Sequence, residues 1–401
     1  MKLSVASVLA LAGSALAATN GPYSIGASSS GFEKGVLNTT LTCNVASTGL
    51  NLKNQKIILG VAANIPNRVH VGQPFYLTAA TRLIVPASIN NLAYGFGART
   101  YGGKATSVTV NAKGSSPSTV DAAGSNGIVV QNASVVQNGP SVLYAPAKGS
   151  SLKVGTFKSS SAGNIVFSFG EIDATINTYD ANGKPTIITA KVTCPAQSQP
   201  VSLAFVAVGG SGSTSTITPS TSVAIPTVPA NTTAGTIGYT YSCSFGSYGS
   251  APVRISVGGV KAAGSFSLTQ GQGNIYIGSE LVTLAKKVSS SAAKFKLTVD
   301  TLNFLATNAS PSTKNGIPSG GLTSGLLALS TSSVVTLPSG APAQTLPAIT
   351  FTPSGSGTSL VSIGSAAGSV SLYDSSSKLL KSADFTCAAL SPTVPALPFD
   401  H

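Results

Sequence analysis

LKVGTFKSSSAGNIVFSFGEIDATINTYDANGK, residues 152–184, has a counterpart 194 positions further on: LPAITFTPSGSGTSLVSIGSAAGSVSLYDSSSK, residues 346–378. Thr156-Phe157 falls on Thr350-Phe351, Gly163 on Gly357, Ser168 on Ser362 and Gly170 on Gly364. Tyr179-Asp180 falls on Tyr373-Asp374 and Lys184 on Lys378. One residue is lost before Thr193-Cys194 meets Thr386-Cys387. Apolar character persists where identity does not, as in Phe169 against Ile363. Repeats of this length decide an architecture before any single element does, and these imply two copies of one unit.

Upstream, Leu41-Thr42-Cys43 corresponds to Tyr241-Ser242-Cys243, so each unit opens with one cysteine and closes with another. Four cysteines allow three pairings. The repeat favours Cys43 with Cys194 and Cys243 with Cys387. Within the units, Ser107-Val108-Thr109-Val110, Lys296-Leu297-Thr298-Val299 and residues 369–373 alternate polar and apolar, the period of a half-buried strand. Asn182-Gly183 between two such runs is a hairpin signal. Amphipathic helical spacing is confined to residues 281–287 and 321–329. The expected fold is all-β: two tandem immunoglobulin-like β-sandwich domains, residues 18–208 and 236–401. Residues 209–235 carry no charge and are mostly Ser, Thr, Gly and Pro, which reads as an unstructured, O-glycosylatable linker.

The chain starts with the grammar of a secretory signal: a basic Met1-Lys2, an apolar run over residues 3–12, and Ala15-Leu16-Ala17 before a cleavage point at Ala18. Residues 1–17 are therefore expected to be removed. No later stretch has the roughly 20 apolar residues of a membrane span, and residues 388–401, with three prolines and a polar end, make a poor lipid-anchor signal. The cysteines suit an oxidising compartment, which places the mature protein outside the cell or in its wall. Asn38, Asn132, Asn231 and Asn308 head N-glycosylation sequons, the last weakened by Pro311.

Charged residues make up 8% of the chain and Trp is absent. The net charge of +13 reflects ten acids more than dense bases, since Lys286-Lys287 is the only adjacent basic pair. Clustered bases with interleaved aromatics, the footprint of nucleic-acid binding, are missing. Loose contact with anionic wall polymers is compatible with that charge.

Leu41-Thr42-Cys43, Lys56-Ile57-Ile58-Leu59-Gly60-Val61 and the proline-bracketed run from Ile65-Pro66 through Val69-His70-Val71-Gly72-Gln73-Pro74 resemble the opening of a secreted domain family of unknown function common in actinobacteria. Val192-Thr193-Cys194 followed by Val201-Ser202-Leu203-Ala204-Phe205 is similar to that family's closing strands. The second unit lacks the proline-bracketed segment. The resemblance implies secretion and a Cys-bracketed β-sandwich, and it implies no activity.

Residues able to do chemistry are few. Only two histidines occur, His70 and His401, and with the cysteines in bridges no zinc site or other cofactor is expected. Glu171-Ile172-Asp173 puts two carboxylates on one face of a strand. Glycosidases use carboxylate pairs, but across a scissile bond and normally from different strands. The matched positions, Ser365 and Ala367, lack them. Asp180, Asn182 and Gly183 begin like a calcium loop without its remaining ligands, and read as a turn. Sugar platforms rely on aromatic faces: of Tyr76, Tyr94, Tyr101, Tyr144, Tyr239, Tyr241, Tyr248 and Tyr276, the sequences Tyr94-Gly95-Phe96 and Tyr101-Gly102-Gly103 look like loops able to present a ring. The function expected is a non-catalytic structural or interaction protein whose partner is wall polysaccharide or a surface protein. A pair of carbohydrate-binding modules is the first alternative, and a glycoside hydrolase the second.

Overall fold

The computed structural model describes residues 27–28, 32–66, 68–196, 202–219, 234–261, 267–331, 333–339, 344–355, 358–389 and 396–400. The expected signal peptide, Asn231, His401 and residues 220–233 of the expected linker lie outside them.

Among the described residues the chain is all-β, with two short α-helices and one 3-10 turn at Gly246–Tyr248. In the first half the principal elements are β1 (Phe32–Ser47), β2 (Leu50–Pro66), β3 (Phe75–Val85), α1 (Ala87–Gly95), β4 (Thr100–Lys113), β5 (Ile128–Ser134), β6 (Ser141–Tyr144), β7 (Leu152–Phe157), β8 (Gly163–Tyr179), β9 (Pro185–Cys194) and β10 (Ser202–Val208). In the second half they are β11 (Ala234–Ser244), β12 (Ser250–Lys261), β13 (Ser267–Tyr276), α2 (Ser279–Val288), β14 (Lys294–Ala306), β15 (Val334–Leu337), β16 (Thr358–Tyr373), β17 (Leu379–Cys387) and β18 (Ala396–Asp400).

Strand alternation sets the two faces. Along β8, Ile172, Ala174, Ile176 and Thr178 are buried, while Asp173, Thr175 and Asn177 point outward and are half-buried. An antiparallel layer β1–β2–β3 faces a second layer β4–β8–β9, and β9 rejoins β1 at residues 44–46. Phe75, Phe157 and Phe167 fill the space between, with ring centroids 5.0–6.3 Å apart. Burying each such ring stabilises the sandwich by about 1.5–3 kcal/mol.

The second half repeats these pairings as β11–β12–β13 against β14–β16–β17, and β17 rejoins β11. Even the register coincides. Tyr179 faces Thr100 and Ala174 faces Ala105 in the first half; Tyr373 faces Lys294 and Gly368 faces Val299 in the second, each residue displaced by 194 positions. Both ladders skip a residue at the same place, Thr106 on β4 and Asp300 on β14. The disulfides join Cys43 to Cys194 and Cys243 to Cys387, where the first strand of each half meets the returning one.

The halves also touch. Leu37 and Asn38 of β1 pair with Gly235 and Ala234 of β11. The guanidinium of Arg68 makes a two-pronged ion pair with Glu280 in the first turn of α2, and reaches Ser279 Oγ at 3.4 Å.

Three expectations need correction. Residues 209–219 of the expected free linker are laid along the first half. Ile217 N–H donates to Pro74 O, Tyr76 N–H donates to Ile217 O, both at 3.1 Å, and Val71 N–H donates to Gly210 O at 3.4 Å. The start of β3 offers unpaired backbone groups, and an uncharged neighbouring segment satisfies them. Residues 321–329 are not helical; they contribute the two-residue strands Leu322–Thr323 and Leu327–Ala328, which pair with β14. The apolar spacing there serves a strand edge. Residues 281–287 do lie in a helix, α2.

The third correction concerns Tyr94 and Tyr101, which are not on open loops. Tyr94 lies on α1, and Tyr101 lies on β4 with 4% of its surface exposed. Ile89, Leu92 and Ala93 of α1, spaced three and four apart, turn to the interior and hold the helix despite its two asparagines.

Candidate functional site

The carboxylates of Glu171 and Asp173 do share the outer face of β8, as the alternation requires. Glu171 is exposed. Asp173 Oδ1 accepts a hydrogen bond from Thr193 Oγ1 at 2.7 Å, across the β8–β9 ladder. Neither lines any of the three principal cavities among the described residues, and the pair stands on the outer strand surface. In the second half Ser365 occupies the position of Glu171 and receives Asn303 Nδ2 at 2.9 Å.

Asp180 is a turn residue. Its Oδ1 accepts from Asn182 N–H at 2.8 Å and Lys184 N–H at 2.9 Å, and Gly183 adopts a positive φ of 74°. Asp374 does the same work, accepting from Ser376 Oγ at 2.7 Å and Lys378 N–H at 2.9 Å. Those hydrogen bonds, Ser376's foremost, hold its carboxyl below the ordinary range. His70 Nδ1 lies 3.0 Å from Gly209 O and so helps to seat the segment after β10. Among the described residues, no three His, Cys, Asp or Glu side chains gather as metal ligands.

The tyrosines divide into buried and covered. Tyr101 O–H donates to buried Asn90 Oδ1 at 2.9 Å, and burial raises its pKa. Tyr241 O–H donates to Ile363 O at 3.1 Å. The Arg99 guanidinium sits 3.6 Å over the Tyr94 ring, and Lys153 Nζ 3.6 Å over Tyr76. Tyr144 has Lys148 5.9 Å above it, Tyr248 is half-buried, and Tyr276 is 6% exposed. The Tyr239 side chain lies outside the described residues.

Of the sequons, Asn132 and Asn308 are exposed. Asn38, by contrast, is 1% exposed, between β2 and β11.

The concave features are apolar, and sequence reading missed them. In the second half a cavity of ≈ 90 Å³ lies beneath α2, between the two layers. Leu281, Leu284, Ala285 and Val288 of α2 form its roof, while Phe295 and Phe385 are among the residues beneath. No residue of α2 is fully buried. In the first half a cavity of ≈ 80 Å³ occupies the matching place under α1, bounded by Ile89, Leu92, Ala93, Tyr101 and Thr178. The 194-residue displacement takes Tyr101 to Phe295 and Thr178 to Leu372; the first-half hydroxyls are engaged by Asn90 and Ile188 O, and both cavities are lined almost wholly by apolar surface. The i, i+3, i+4, i+7 spacing on α2 was the available signal, but a helix roof and a packed helix share that pattern.

Among known proteins, a model of a family of unknown function, DUF6801, matches residues 40–204, which is the first half without its leading residues. No curated protein and no solved structure matches the chain. Among the described residues no helix is long and apolar enough to cross a membrane.

Proposed function

We propose that the chain is a secreted, wall-associated structural or interaction protein without catalytic activity, built from two copies of one disulfide-tied sandwich unit. The supporting observation is where the chain spends its reactive groups. Asp180 and Asp374 are committed to turns, Asp173 to Thr193, His70 to Gly209, Glu280 to Arg68, and the four cysteines to two bridges. Disulfides persist in oxidising surroundings, which agrees with the signal-like start of the chain. Its partner on this reading is an anionic wall polymer or a surface protein, met through the net charge of +13, or +12 once Lys2 is removed. Asn132 and Asn308 are the sequons on open surface in the described residues.

The carbohydrate-module alternative depends on presented aromatic rings. Burial of Tyr101 and coverage of Tyr94 by Arg99 weigh against it. The test is depletion of the purified protein by chitin, β-glucan, cellulose and an anionic wall preparation, at low and high salt. Retention on the anionic material alone, lost at high salt, is the expected outcome. Salt-resistant depletion by one neutral polysaccharide would replace this reading with the carbohydrate one. Release of reducing ends that disappears in Glu171→Gln and Asp173→Asn would replace it with a hydrolase.

A further inference from the structure

We infer that the cavity beneath α2 is a binding site for a single fatty-acid chain, with the acyl tail between the layers and its carboxylate at Lys381. This does not rest on the wall-contact reading, since it turns on the apolar space and not on the net charge.

The chemistry of the lining points to the tail. Apart from Lys381 and Ser382, every side chain around the ≈ 90 Å³ space is apolar except the Tyr248 ring. Voids of that character stay dry, and one of about 150 Å³ lined by Leu, Ile and Phe takes up benzene. The ≈ 90 Å³ space is smaller than that, so as it stands it takes only the end of a hydrocarbon chain, and the rest of the tail needs the roof to move. The first half has a cavity at the corresponding place under α1, so the space belongs to the repeated unit.

The mouth points to the head group. On β17, Lys381, Ala383 and Phe385 share one face, and all three line the cavity. Phe385 is buried, Ala383 half-buried and Lys381 exposed, a gradient from floor to opening. In the first half the corresponding residues are Val192, Ala190 and Ile188. Lysine therefore stands in the second half where isoleucine stands in the first. Its aliphatic stem covers apolar wall while the ammonium stays in water, the arrangement that suits an amphiphile with an anionic end. Lys286 and Lys287 in the last turn of α2 add to the positive field, and no ion-pair partner is found for Lys381 among the described residues.

The roof can move from one end. Glu280 moors the first turn of α2 to Arg68 of the first half. Among the described residues the last turn has no comparable ion pair: Lys286 Nζ donates to Ser290 O, two residues beyond the helix, at 3.4 Å. Lifting the C-terminal end of α2 would lengthen the slot towards Lys381 without breaking the strand ladders.

The experiment is calorimetric titration of the full chain with dodecanoate, below its micellar concentration, beside dodecanol as the uncharged probe. One dodecanoate per chain is expected, because the first-half cavity lacks the mouth cation, with Ile188 where Lys381 stands. Gly273→Leu fills the space: Gly273 lies on the face of β13 that bears Ile275, and a Cβ there meets nothing closer than 3.7 Å. This variant is expected to lose at least about tenfold in affinity while melting no lower than the parent. Lys381→Met, which keeps the stem, is expected to weaken dodecanoate and leave dodecanol unchanged. Absence of saturable binding overturns the inference, as does binding that Gly273→Leu leaves intact. Equal effects of Lys381→Met on both probes overturn the head-group assignment. Should Gly273→Leu fail to fold, methyl spectra of the parent decide. Shifts at Leu281, Leu284, Val288 and Leu372 on adding dodecanoate support the site, and unmoved resonances there overturn it.

Discussion

Tyr101 and Phe295 occupy the same position in the two halves, each facing the last inward residue of the long hairpin strand, Thr178 and Leu372. The difference between them is one hydroxyl, and the first half is built around it. Asn90, fully buried, accepts from that hydroxyl and donates through Nδ2 to Gly139 O at 2.6 Å. A buried amide of this kind costs stability when a partner is removed, because the orphaned acceptor has no water to turn to. Tyr101→Phe is therefore expected to destabilise the protein by about 1–3 kcal/mol, read from the urea midpoint. Phe295→Tyr should be the costlier exchange in the other direction, since its hydroxyl would enter an apolar cavity with no partner. A Tyr101→Phe protein as stable as the parent would mean that water already serves Asn90.

At the scale of elements, the two hairpins β8–β9 and β16–β17 close with the same turn on different residues. Asp180 and Asp374 each bind the backbone four residues on. The position with positive φ is Gly183 in one turn, φ 74°, and Ser377 in the other, φ 69°. A side chain at such a φ meets its own backbone, and glycine does not. Ser377→Gly is expected to stabilise the second hairpin by about 0.5–1 kcal/mol, measured by equilibrium unfolding. An unchanged or lowered stability would show that the serine hydroxyl, which receives Lys294 Nζ at 2.9 Å, compensates for the strain. The first turn was legible beforehand, because Asp180-Ala181-Asn182-Gly183 between alternating strands carries its own geometry, whereas Asp374-Ser375-Ser376-Ser377 is marked as a turn only by its place in the repeat. The helix α1 was not legible: its asparagines are weak helix formers, and only the core beneath supplies the reason for it to coil.

At the scale of the molecule, Arg68 and Glu280 connect halves that are more than 200 positions apart in sequence. The hydrogen bonds from Arg68 are the main cause that lowers the Glu280 carboxyl from 4.5 to about 2. A carboxyl depressed in the folded state stabilises above its ordinary pKa, and that contribution fades as pH falls from 4.5 towards 2. The pair is partly exposed, with side-chain accessibilities of 29% and 36%, so solvent screens it to no more than about 1 kcal/mol. Glu280→Gln should accordingly be less stable than the parent near neutral pH, and the two should converge as the acid limb is descended. A difference that persists undiminished at the lowest pH would assign the cost to packing at α2.

The sequence by itself determined the repeat, the cysteine pairing that the repeat implies, the strand periodicity and the hairpin turns. Each of these is encoded by residues close together or by a fixed displacement along the chain. Tertiary structure alone decided the rest: that Tyr101 turns inward, that Asn38 is enclosed, that residues 209–219 run along the first half from Val69 to Tyr76, that Arg68 meets Glu280, and that an apolar space remains under α2. Those outcomes depend on which faces of distant segments come together. A tyrosine, an asparagine or an amphipathic helix reads the same in sequence whether its neighbour across the fold is water, another layer or an opening.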